Sequence, residues 1–220
     1  MMRFEKKYKF NPFEDIALIN YLKCNDFNEI YTSRKVQSLY YDTNDLDLYH
    51  DSVLGIQDRK KIRIRFYNSC NKKFNIEYKI KNSDLGYKKI PNLNSIKHGE
   101  LIPIIFSKNN SKENIIALPI HLENVYFPKI FIEYKRRYFY SKKFNIRVTI
   151  DKRLKFSRAK IYREKIKLFQ TKPVTHNVLE IKYDQNNILE NELDFNISNN
   201  SNLILERSSK YCDAVETVYF

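Results

Sequence analysis

The chain has 220 residues, of which 42% are hydrophobic, and this is enough to bury a core as one domain or as two small ones. It has only 3 glycines, which excludes collagen-like sequences and glycine-rich linkers. A net charge of +14 predicts a polyanionic partner, which could be nucleic acid, an anionic membrane surface or phosphate groups.

The spacing of the cysteines and the lengths of the apolar runs indicate the cellular compartment. Cys24, Cys70 and Cys212 lie far apart and match neither a metal-binding spacing nor a disulfide framework. No apolar run approaches the length of a membrane span, and the N-terminal segment lacks the apolar core of a signal peptide. The sequence therefore predicts reduced thiols and a cytoplasmic protein without a membrane span.

Eight segments alternate polar and apolar residues with the period of a β-strand. In chain order they are 2–10, 36–42, 59–67, 74–81, 129–139, 144–151, 178–184 and 203–207. Many strands joined by short connections predict a mainly β structure, an antiparallel barrel or sandwich forming a single domain over residues 1–220.

Four helices are predicted around these strands. The first, over 11–23, has Asn11 as N-cap and Pro12 at the first helical position, and then an apolar series at helical spacing: Phe13, Ile16, Ile19 and Leu22. The other helices are predicted at 44–55, closed by Gly55, at 111–122 and at 208–220. Loops are predicted at 68–73, 107–114 and 184–202.

The stretch 59–67, "RKKIRIRFY", has the clearest pattern. One face of a strand here would carry four cations, and the other would carry Ile62, Ile64 and Phe66. Similar alternation in other strands gives polar faces with the cations Arg3, Lys7, Arg59, Lys61, Arg63, Arg65, Lys79, Lys81, Arg147 and Lys182. Fewer carboxylates share these faces, namely Glu5, Glu77, Asp151 and Glu180.

A solvated face of an antiparallel sheet would account for any one of these strands. Like charges on neighbouring strands repel each other, however, so a whole set of cationic faces needs a further explanation. If the strands close into a barrel with the cations inside, a phosphate chain would supply the missing negative charge. Arg63 and Arg65 are then expected to point inward, and Ile62, Ile64 and Phe66 to pack outside the lumen.

The chain resembles the polyphosphate-polymerase domain of the vacuolar transporter chaperone (VTC) family, within the CYTH or triphosphate tunnel superfamily. The stretches that carry the resemblance occur in family order from residue 3 to residue 211. They are "RFEKKY", "VQSLYYDTNDLDLY", "GIQDRKKIRIRFY", "IEYKIK", "EYKRRYF", "IRVTID", "VLEIKY" and "SSKY".

The resemblance implies an eight-stranded antiparallel β-barrel with flanking helices, whose lumen is a tunnel that binds triphosphates. It also implies transfer of the terminal phosphoryl group of ATP onto a growing inorganic polyphosphate, with Mg²⁺ or Mn²⁺ held by Glu180. The tunnel cations that match the family as catalytic residues are Arg63, Arg65, Lys79, Arg136, Arg147 and Lys210. Further phosphate-binding candidates, from family match or from the alternation, are Arg3, Lys7, Arg59, Lys61, Lys81, Lys88, Lys89 and Lys182.

Departures from the superfamily favour the polymerase branch. Hydrolytic members open with Glu-x-Glu-x-Lys, whereas this chain has "RFEKK", with Arg3 at the first glutamate position. The sequence has no inositol-phosphate-sensing domain before residue 1 and no membrane segment after residue 211, so we do not expect a membrane complex of the eukaryotic kind for this chain alone.

Three alternative functions stay open. A tunnel triphosphatase would share the fold, but the small number of carboxylates disfavours it. A non-catalytic polyphosphate-binding protein would keep the cationic tunnel without turnover. A nucleic-acid binder is disfavoured because the sequence contains no recognisable nucleic-acid-binding module.

Several residues are predicted to have structural roles only. Glu5 and Glu77 are expected to pair with neighbouring lysines. Asp42 and Thr43 are expected to end a strand and cap the next helix. The aromatic side chains expected to pack rather than bind are Tyr40, Tyr41, Phe66 and Tyr67.

Overall fold

The computed structural model describes residues 3–57, 59–67, 74–82, 85–89, 120–121, 125–163, 165–184, 202–206 and 209–220. The strands in these ranges are β1 (Arg3–Phe10), β2 (Asn28–Asp42), β3 (Arg59–Tyr67), β4 (Phe74–Asn82), β5 (Leu85–Lys89), β6 (Ile120–His121), β7 (Val125–Ser141), β8 (Ile146–Tyr162), β9 (Lys165–Pro173), β10 (Asn177–Asp184) and β11 (Ile204–Leu205). The α-helices are α1 (Asp15–Cys24), α2 (Asp47–Val53) and α3 (Lys210–Tyr219). A 3₁₀ turn, Pro12–Glu14, precedes α1.

The chain divides into two compact units. Unit 1 consists of Met1–Lys35, Tyr134–Leu154 and Pro173–Ser208. Unit 2 consists of Val36–Glu133, Lys155–Lys172 and Ser209–Phe220. Both units are therefore assembled from segments that are distant in sequence.

In unit 1 the strand order is β11-β1-β10-β8, with antiparallel pairing. The alternation along β8 and β10 places Ile146, Val148 and Ile150 on the same face as Leu179 and Ile181. This face is the core of unit 1, and α1 covers it with the buried side chains of Leu18, Ile19 and Leu22.

In unit 2 the strand order is β2-β3-β4-β5, again antiparallel. The core lies on one face of these strands, where Ile62, Ile64 and Phe66 are nearly inaccessible to solvent. The other members of this core are Leu39, Tyr41, Leu48, Ile76, Tyr126, Phe131 and Ala159. The alternation predicted for β3 is thus confirmed, with the isoleucines in the core and the arginines on the opposite face.

The predicted class, a mainly antiparallel β structure with flanking helices, is confirmed. Within each unit the described strands follow an open path, so the word barrel describes them only loosely. The described ranges hold more strands than the eight predicted, because β5, β6 and β9 were not predicted. The strands β2 and β8 are also about twice as long as predicted.

The first helix was predicted correctly in place but only partly in orientation. Asn11 Oδ1 accepts a hydrogen bond from the Phe13 amide at 3.1 Å, which confirms the predicted N-cap. Leu22 and Ile19 are buried as expected, whereas Phe13 is 92% exposed and Ile16 is 73% exposed. The prediction of an apolar stripe is therefore wrong for Phe13 and Ile16. Phe13 lies in the 3₁₀ turn, which the chain forms there instead of α-helix.

The other predicted helices differ in outcome. The helix predicted at 44–55 is confirmed as α2, followed by Gly55 at φ +70°. The C-terminal helix is confirmed as α3, and the Ser209 hydroxyl accepts a hydrogen bond from the Cys212 amide at 3.2 Å. Of the helix predicted at 111–122, the part that the structure describes is strand β6. The loops predicted at 68–73 and 107–114 lie outside the described residues, as does the loop predicted at 184–202 except for Asp184, which ends β10, and Asn202.

Among the helices that the structure describes, none has both the length and the apolar character needed to cross a membrane. Cys24 is an exposed free thiol and Cys212 is a buried one, while Cys70 lies outside the described residues.

Candidate functional site

Unit 2 presents a polar face on the side of β2, β3 and β4 opposite its core. We call this the unit 2 polar face and define it by Ser38, Tyr40, Arg63, Arg65 and Glu77. The strand register places Arg65 beside Ser38, and Arg63 between Tyr40 and Glu77. Cross-strand neighbours of this kind are close enough for their side chains to interact directly.

The two arginines of this face share one buried carboxylate. Arg63 Nε donates to Glu77 Oε2 at 2.7 Å, and its Nη2 lies 2.5 Å from the same oxygen. Arg65 Nη1 is 3.8 Å from that oxygen, and its Nε donates to Ser38 Oγ at 3.4 Å. The Glu77 side chain is only 2% exposed, so the pairing compensates the cost of burying its charge.

Tyr40 links this face to α3. Arg63 Nη1 donates to the Tyr40 hydroxyl at 2.8 Å, and the Tyr40 ring stacks on Tyr211 with centroids 5.1 Å apart. Burial opposes ionisation of the Tyr40 phenol, but the nearby cations outweigh it and lower the pKa of Tyr40 below its ordinary value. Those cations are Arg63, Arg65 and Lys210.

Asp42 fixes the ring on which Tyr40 stacks. The Tyr211 hydroxyl donates to Asp42 Oδ2, which also accepts from the Tyr49 amide at 3.0 Å. Asp42 Oδ1 accepts from the amides of Thr43 at 2.7 Å and Leu48 at 2.9 Å. Burial and the adjacent Asp42 carboxylate raise the pKa of Tyr211. The prediction that Asp42 ends a strand and caps the next helix is confirmed.

Unit 1 has its own polar face, opposite the core on β1, β8 and β10, with one arginine from β7. We call it the unit 1 polar face and define it by Glu5, Lys7, Arg136, Thr149, Asp151, Glu180 and Lys182. In the register, Glu180 lies between Lys7 on β1 and Thr149 on β8, and Lys182 lies between Glu5 and Arg147. Side chains of both signs therefore alternate across this face.

Arg136 is held between two carboxylates. Its Nε donates to Asp151 Oδ1 at 2.5 Å, and its Nη2 donates to Asp151 Oδ2 at 2.7 Å and to Glu180 Oε2 at 3.2 Å. Asp151 is inaccessible to solvent. Burial opposes the charge of Arg136, but Asp151 and Glu180 outweigh it and hold the pKa of Arg136 well above its ordinary value.

The lysines of this face pair with its remaining carboxylate oxygens. Lys182 Nζ lies 2.6 Å from Glu180 Oε1 and 3.5 Å from Glu5 Oε2. Lys7 Nζ lies 2.8 Å from Glu5 Oε1. The predicted pairing of Glu5 with lysines is confirmed, whereas the carboxylate of Glu77 in unit 2 binds arginines, which the prediction did not include.

A divalent cation is implied by the fold family, and Glu180 is the predicted ligand. Among the described residues, no three His, Cys, Asp or Glu side chains gather into a ready-made metal site. Glu180 is nevertheless a buried carboxylate, and across the ladder from it the buried Thr149 hydroxyl has no hydrogen-bond partner among the described residues. These residues fit a hard cation that takes one carboxylate from the protein and most of its other oxygens from phosphate and water.

The remaining predicted residues fall on both units. In unit 2 the register aligns Lys61 with Lys79 and Lys79 with Lys88, and it pairs Arg59 with Lys81. Lys79 and Arg147 are exposed, and Arg59, Lys61 and Lys210 are half-buried. The side chains of Arg3, Lys81, Lys88 and Lys89 lie outside what the structure describes, although their backbones belong to β1, β4 and β5.

Sequence reasoning missed the polar role of Tyr40. The residue was predicted only to pack, and it does pack on Tyr211, but its hydroxyl also contacts Arg63. The signal was present in the alternation, because Tyr40 has the same parity as Ser38 and lies opposite the core residues Leu39 and Tyr41.

Comparison with known proteins places the whole chain in one family. The model of the VTC domain family matches residues 4–219. A curated relative, trophozoite exported protein 1 of Plasmodium falciparum (isolate 3D7), is 29% identical over 226 residues. The match covers 97% of this chain but 20% of that relative, so the chain spans about a fifth of its length.

Three solved structures share the fold over nearly all of both chains. The first is a proposed adenylyl cyclase from Hippeastrum that reveals a dominant triphosphatase activity, with a TM-score of 0.54, 13% identity and coverage of 98% and 96%. The PH1819 protein of Pyrococcus horikoshii OT3 has a TM-score of 0.51, 12% identity and coverage of 97% and 96%. A proposed adenylate cyclase from Vibrio parahaemolyticus has a TM-score of 0.50, 12% identity and coverage of 98% of both chains.

At these identities the structural likeness concerns the fold alone. The family model carries the closer relationship, because it matches the chain from β1 to the end of α3. The chain belongs to the VTC domain family.

Proposed function

We propose that this chain is an ATP-dependent polyphosphate polymerase, which transfers the terminal phosphoryl group of ATP onto a growing inorganic polyphosphate. The observation that carries the proposal is the match of the VTC domain over residues 4–219. The excess of arginines over carboxylates on the unit 2 polar face supports it, because a phosphate chain needs fixed positive charges along its length.

Phosphoryl transfer depends mainly on positioning the phosphates and neutralising their charge. On the unit 2 polar face, the planar guanidinium groups of Arg63 and Arg65 suit bidentate contacts with phosphate oxygens. Lys79 and Lys210 would act as point charges in the same unit. We propose weaker contacts, which position the polyphosphate, for Arg59, Lys61, Lys81, Lys88 and Lys89.

On the unit 1 polar face, Arg136 and Arg147 are the proposed catalytic cations. Arg3, Lys7 and Lys182 would bind more distant phosphates. Glu180 would hold Mg²⁺ or Mn²⁺, and such an ion supplies charge neutralisation on phosphate oxygens when it is bound. Glu180 already contacts Arg136 and Lys182, so these cations would exchange a carboxylate partner for phosphate oxygens as the substrate enters.

The attacking group in this proposal is a terminal phosphate oxygen of the polyphosphate. It is ionised at neutral pH, so the protein need not supply a strong general base. The bond between the terminal phosphorus of ATP and its bridging oxygen breaks, a new phosphoanhydride bond forms, and ADP leaves. The residues named above would bind and orient both partners for this step.

A triphosphatase is the second candidate, and one observation favours it. The solved structure from Hippeastrum, which shares the fold, has a dominant triphosphatase activity. We rank it second because Arg3 occupies a position where hydrolytic members have a glutamate. A non-catalytic polyphosphate-binding protein is a third candidate, while a nucleic-acid partner is not part of the proposal. The cytoplasmic location stays a prediction from the sequence.

The test is to incubate the pure protein with ATP and Mn²⁺ or Mg²⁺, and to resolve nucleotides and polyphosphate. We expect ADP together with a ladder of polyphosphate chains. Orthophosphate as the other product, without a ladder, would replace the polymerase by the triphosphatase. Tight polyphosphate binding without turnover would identify a binding protein.

A further inference from the structure

The Tyr40 hydroxyl is a buried hydrogen-bond donor whose proton is unused. Its contact with Arg63 Nη1, at 2.8 Å, engages the hydroxyl as an acceptor, because a guanidinium group can only donate. Tyr40 is 6% exposed, and within the described ranges no side-chain or backbone acceptor receives the phenol proton. Buried hydroxyl groups normally use their proton, so this arrangement points to an acceptor that the described residues do not provide.

The charge around Tyr40 specifies what that acceptor would be. Arg63, Arg65 and Lys210 are close enough to act on the phenol electrostatically, and Ser38 lies two residues away on the same face of β2. A group that enters among three cations and accepts a hydrogen bond is an anion with exposed oxygens. Glu77, the carboxylate in this cluster, is already bonded to Arg63.

The orientation of the ring is fixed from behind. Tyr40 stacks on Tyr211 at an interplanar angle of 19°, and Tyr211 is anchored by its hydroxyl to Asp42. Asp42 in turn is held by the backbone amides at the start of α2. A ring held in this way keeps its hydroxyl at the level of the Arg63 guanidinium without an ordering cost when a ligand arrives.

We propose that Tyr40 binds the substrate directly, donating a hydrogen bond to a phosphate oxygen of the triphosphate or polyphosphate on the unit 2 polar face. This inference rests on the proposed function, since it assigns a further phosphate-binding residue to the same face. A phenol suits the position because it adds a bond without adding a positive charge. The empty face therefore avoids the repulsion that a further lysine or arginine would cause.

The test compares Tyr40→Phe with the matched variant Tyr41→Phe. Tyr41 is the next residue of β2, is 1% exposed and lies in the unit 2 core on the opposite face. Binding of inorganic triphosphate is measured by calorimetry, and the melting temperature is measured without ligand. We expect Tyr40→Phe to weaken binding about tenfold, as for loss of a hydrogen bond to a charged group, while Tyr41→Phe changes it less than about twofold.

A double-mutant cycle separates direct contact from an effect through Arg63. If Tyr40 contacts phosphate itself, Tyr40→Phe should still weaken binding severalfold in an Arg63→Ala background. If Tyr40 only positions Arg63, the loss should vanish there, and the inference is overturned. Equal binding by Tyr40→Phe and wild type would overturn it as well, whereas wild-type protein that binds no triphosphate would overturn the proposed function first. Should Tyr40→Phe melt well below Tyr41→Phe, the cycle is repeated with Tyr40→His, which keeps a ring donor and should bind more tightly than Tyr40→Ala.

Discussion

The two polar faces use their arginines differently. On the unit 1 polar face, Arg136 bonds two carboxylates, one of which is completely buried. On the unit 2 polar face, Arg63 and Arg65 share the carboxylate of Glu77, and each also contacts a neutral hydroxyl group. The first arrangement neutralises its charges internally, and the second keeps its guanidinium groups next to groups that an anion can displace at little cost.

This difference separates what a substitution should do in each unit. A buried charge pair loses much more when one partner is removed than it contributes while intact, because the other charge remains buried. Loss of the fully buried Asp151 carboxylate, which pairs with Arg136 in unit 1, should therefore act strongly on folding. Changes of the arginines on the unit 2 polar face should act strongly on ligand binding.

The largest expected effect is that of Asp151→Ala. The change leaves the Arg136 guanidinium buried with only the longer contact to Glu180, so the free energy of unfolding should fall by about 3–5 kcal/mol. Urea denaturation measures it. Asp26→Asn is the control, because it removes the exposed pair with Lys143 at 3.8 Å while asparagine tolerates the left-handed backbone there (φ +62°), so it should change stability by less than about 0.5 kcal/mol. If both variants lowered the free energy of unfolding equally, the buried charge pair of unit 1 would be no more important for folding than an exposed one.

Glu180→Gln tests the proposed metal ligand without changing side-chain size. Metal-dependent turnover should fall on the order of 100-fold, since the ion's charge stabilisation is worth several kcal/mol. Triphosphate binding should stay within about threefold of wild type, because the phosphate-binding cations remain. The measurement is turnover against metal concentration, and full activity at saturating metal would refute Glu180 as the essential ligand.

Arg63→Ala tests the unit 2 polar face as a phosphate clamp. We expect triphosphate binding to weaken about tenfold to a hundredfold, and Arg63→Lys to restore only part of it, because an ammonium group cannot reproduce the planar fork. Calorimetry on the three proteins provides the measurement. Full recovery with lysine would mean that charge alone, and not geometry, is needed at this position.

The smallest effect is expected for Glu29→Gln, on the solvent side of unit 1. Arg137 bonds both Glu29 oxygens, at 2.9 and 2.7 Å, and lowers the pKa of Glu29. The charged form is therefore favoured by folding, so the pair stabilises the protein above the ordinary pKa of glutamate and loses this as the pH falls through the lowered value. After solvent screening we expect about 0.5 kcal/mol at pH 7, absent in Glu29→Gln and near zero in both proteins once the pH is below the lowered pKa of Glu29.

The strands with strict alternation could be predicted from sequence, and those without it could not. The boundaries predicted for β3 match the structure, because from Lys61 to Tyr67 every second residue is charged or polar and the residues between them are apolar. β9 was missed because almost all of its side chains are exposed, so no apolar period marks it. A positive φ of +49° at Gln170 also breaks its regular geometry.

The candidate site was predictable as a set of cations but not as a set of contacts. The parity of Arg63 and Arg65 within β3 placed both on one face, as observed. The pairing of Arg63 with Glu77 depends on the register between β3 and β4, which alternation alone does not determine. The contact of Asp42 with Tyr211 joins residues 169 positions apart, and no local pattern could indicate it.

The bond between Asp42 and Tyr211 has a consequence for synthesis of the chain on the ribosome. β2 is translated early, but the tyrosine that donates a hydrogen bond to the carboxylate at the end of this strand is translated 169 residues later. Until then the growing chain must carry β2 and β3 without the helix that completes their packing. Contacts between residues so far apart in sequence slow folding. Until they form, the apolar strands stay accessible to aggregation or to chaperones. A release of nascent chains just before Tyr211 should therefore yield products that chaperones retain, whereas chains that include α3 should be released in folded form.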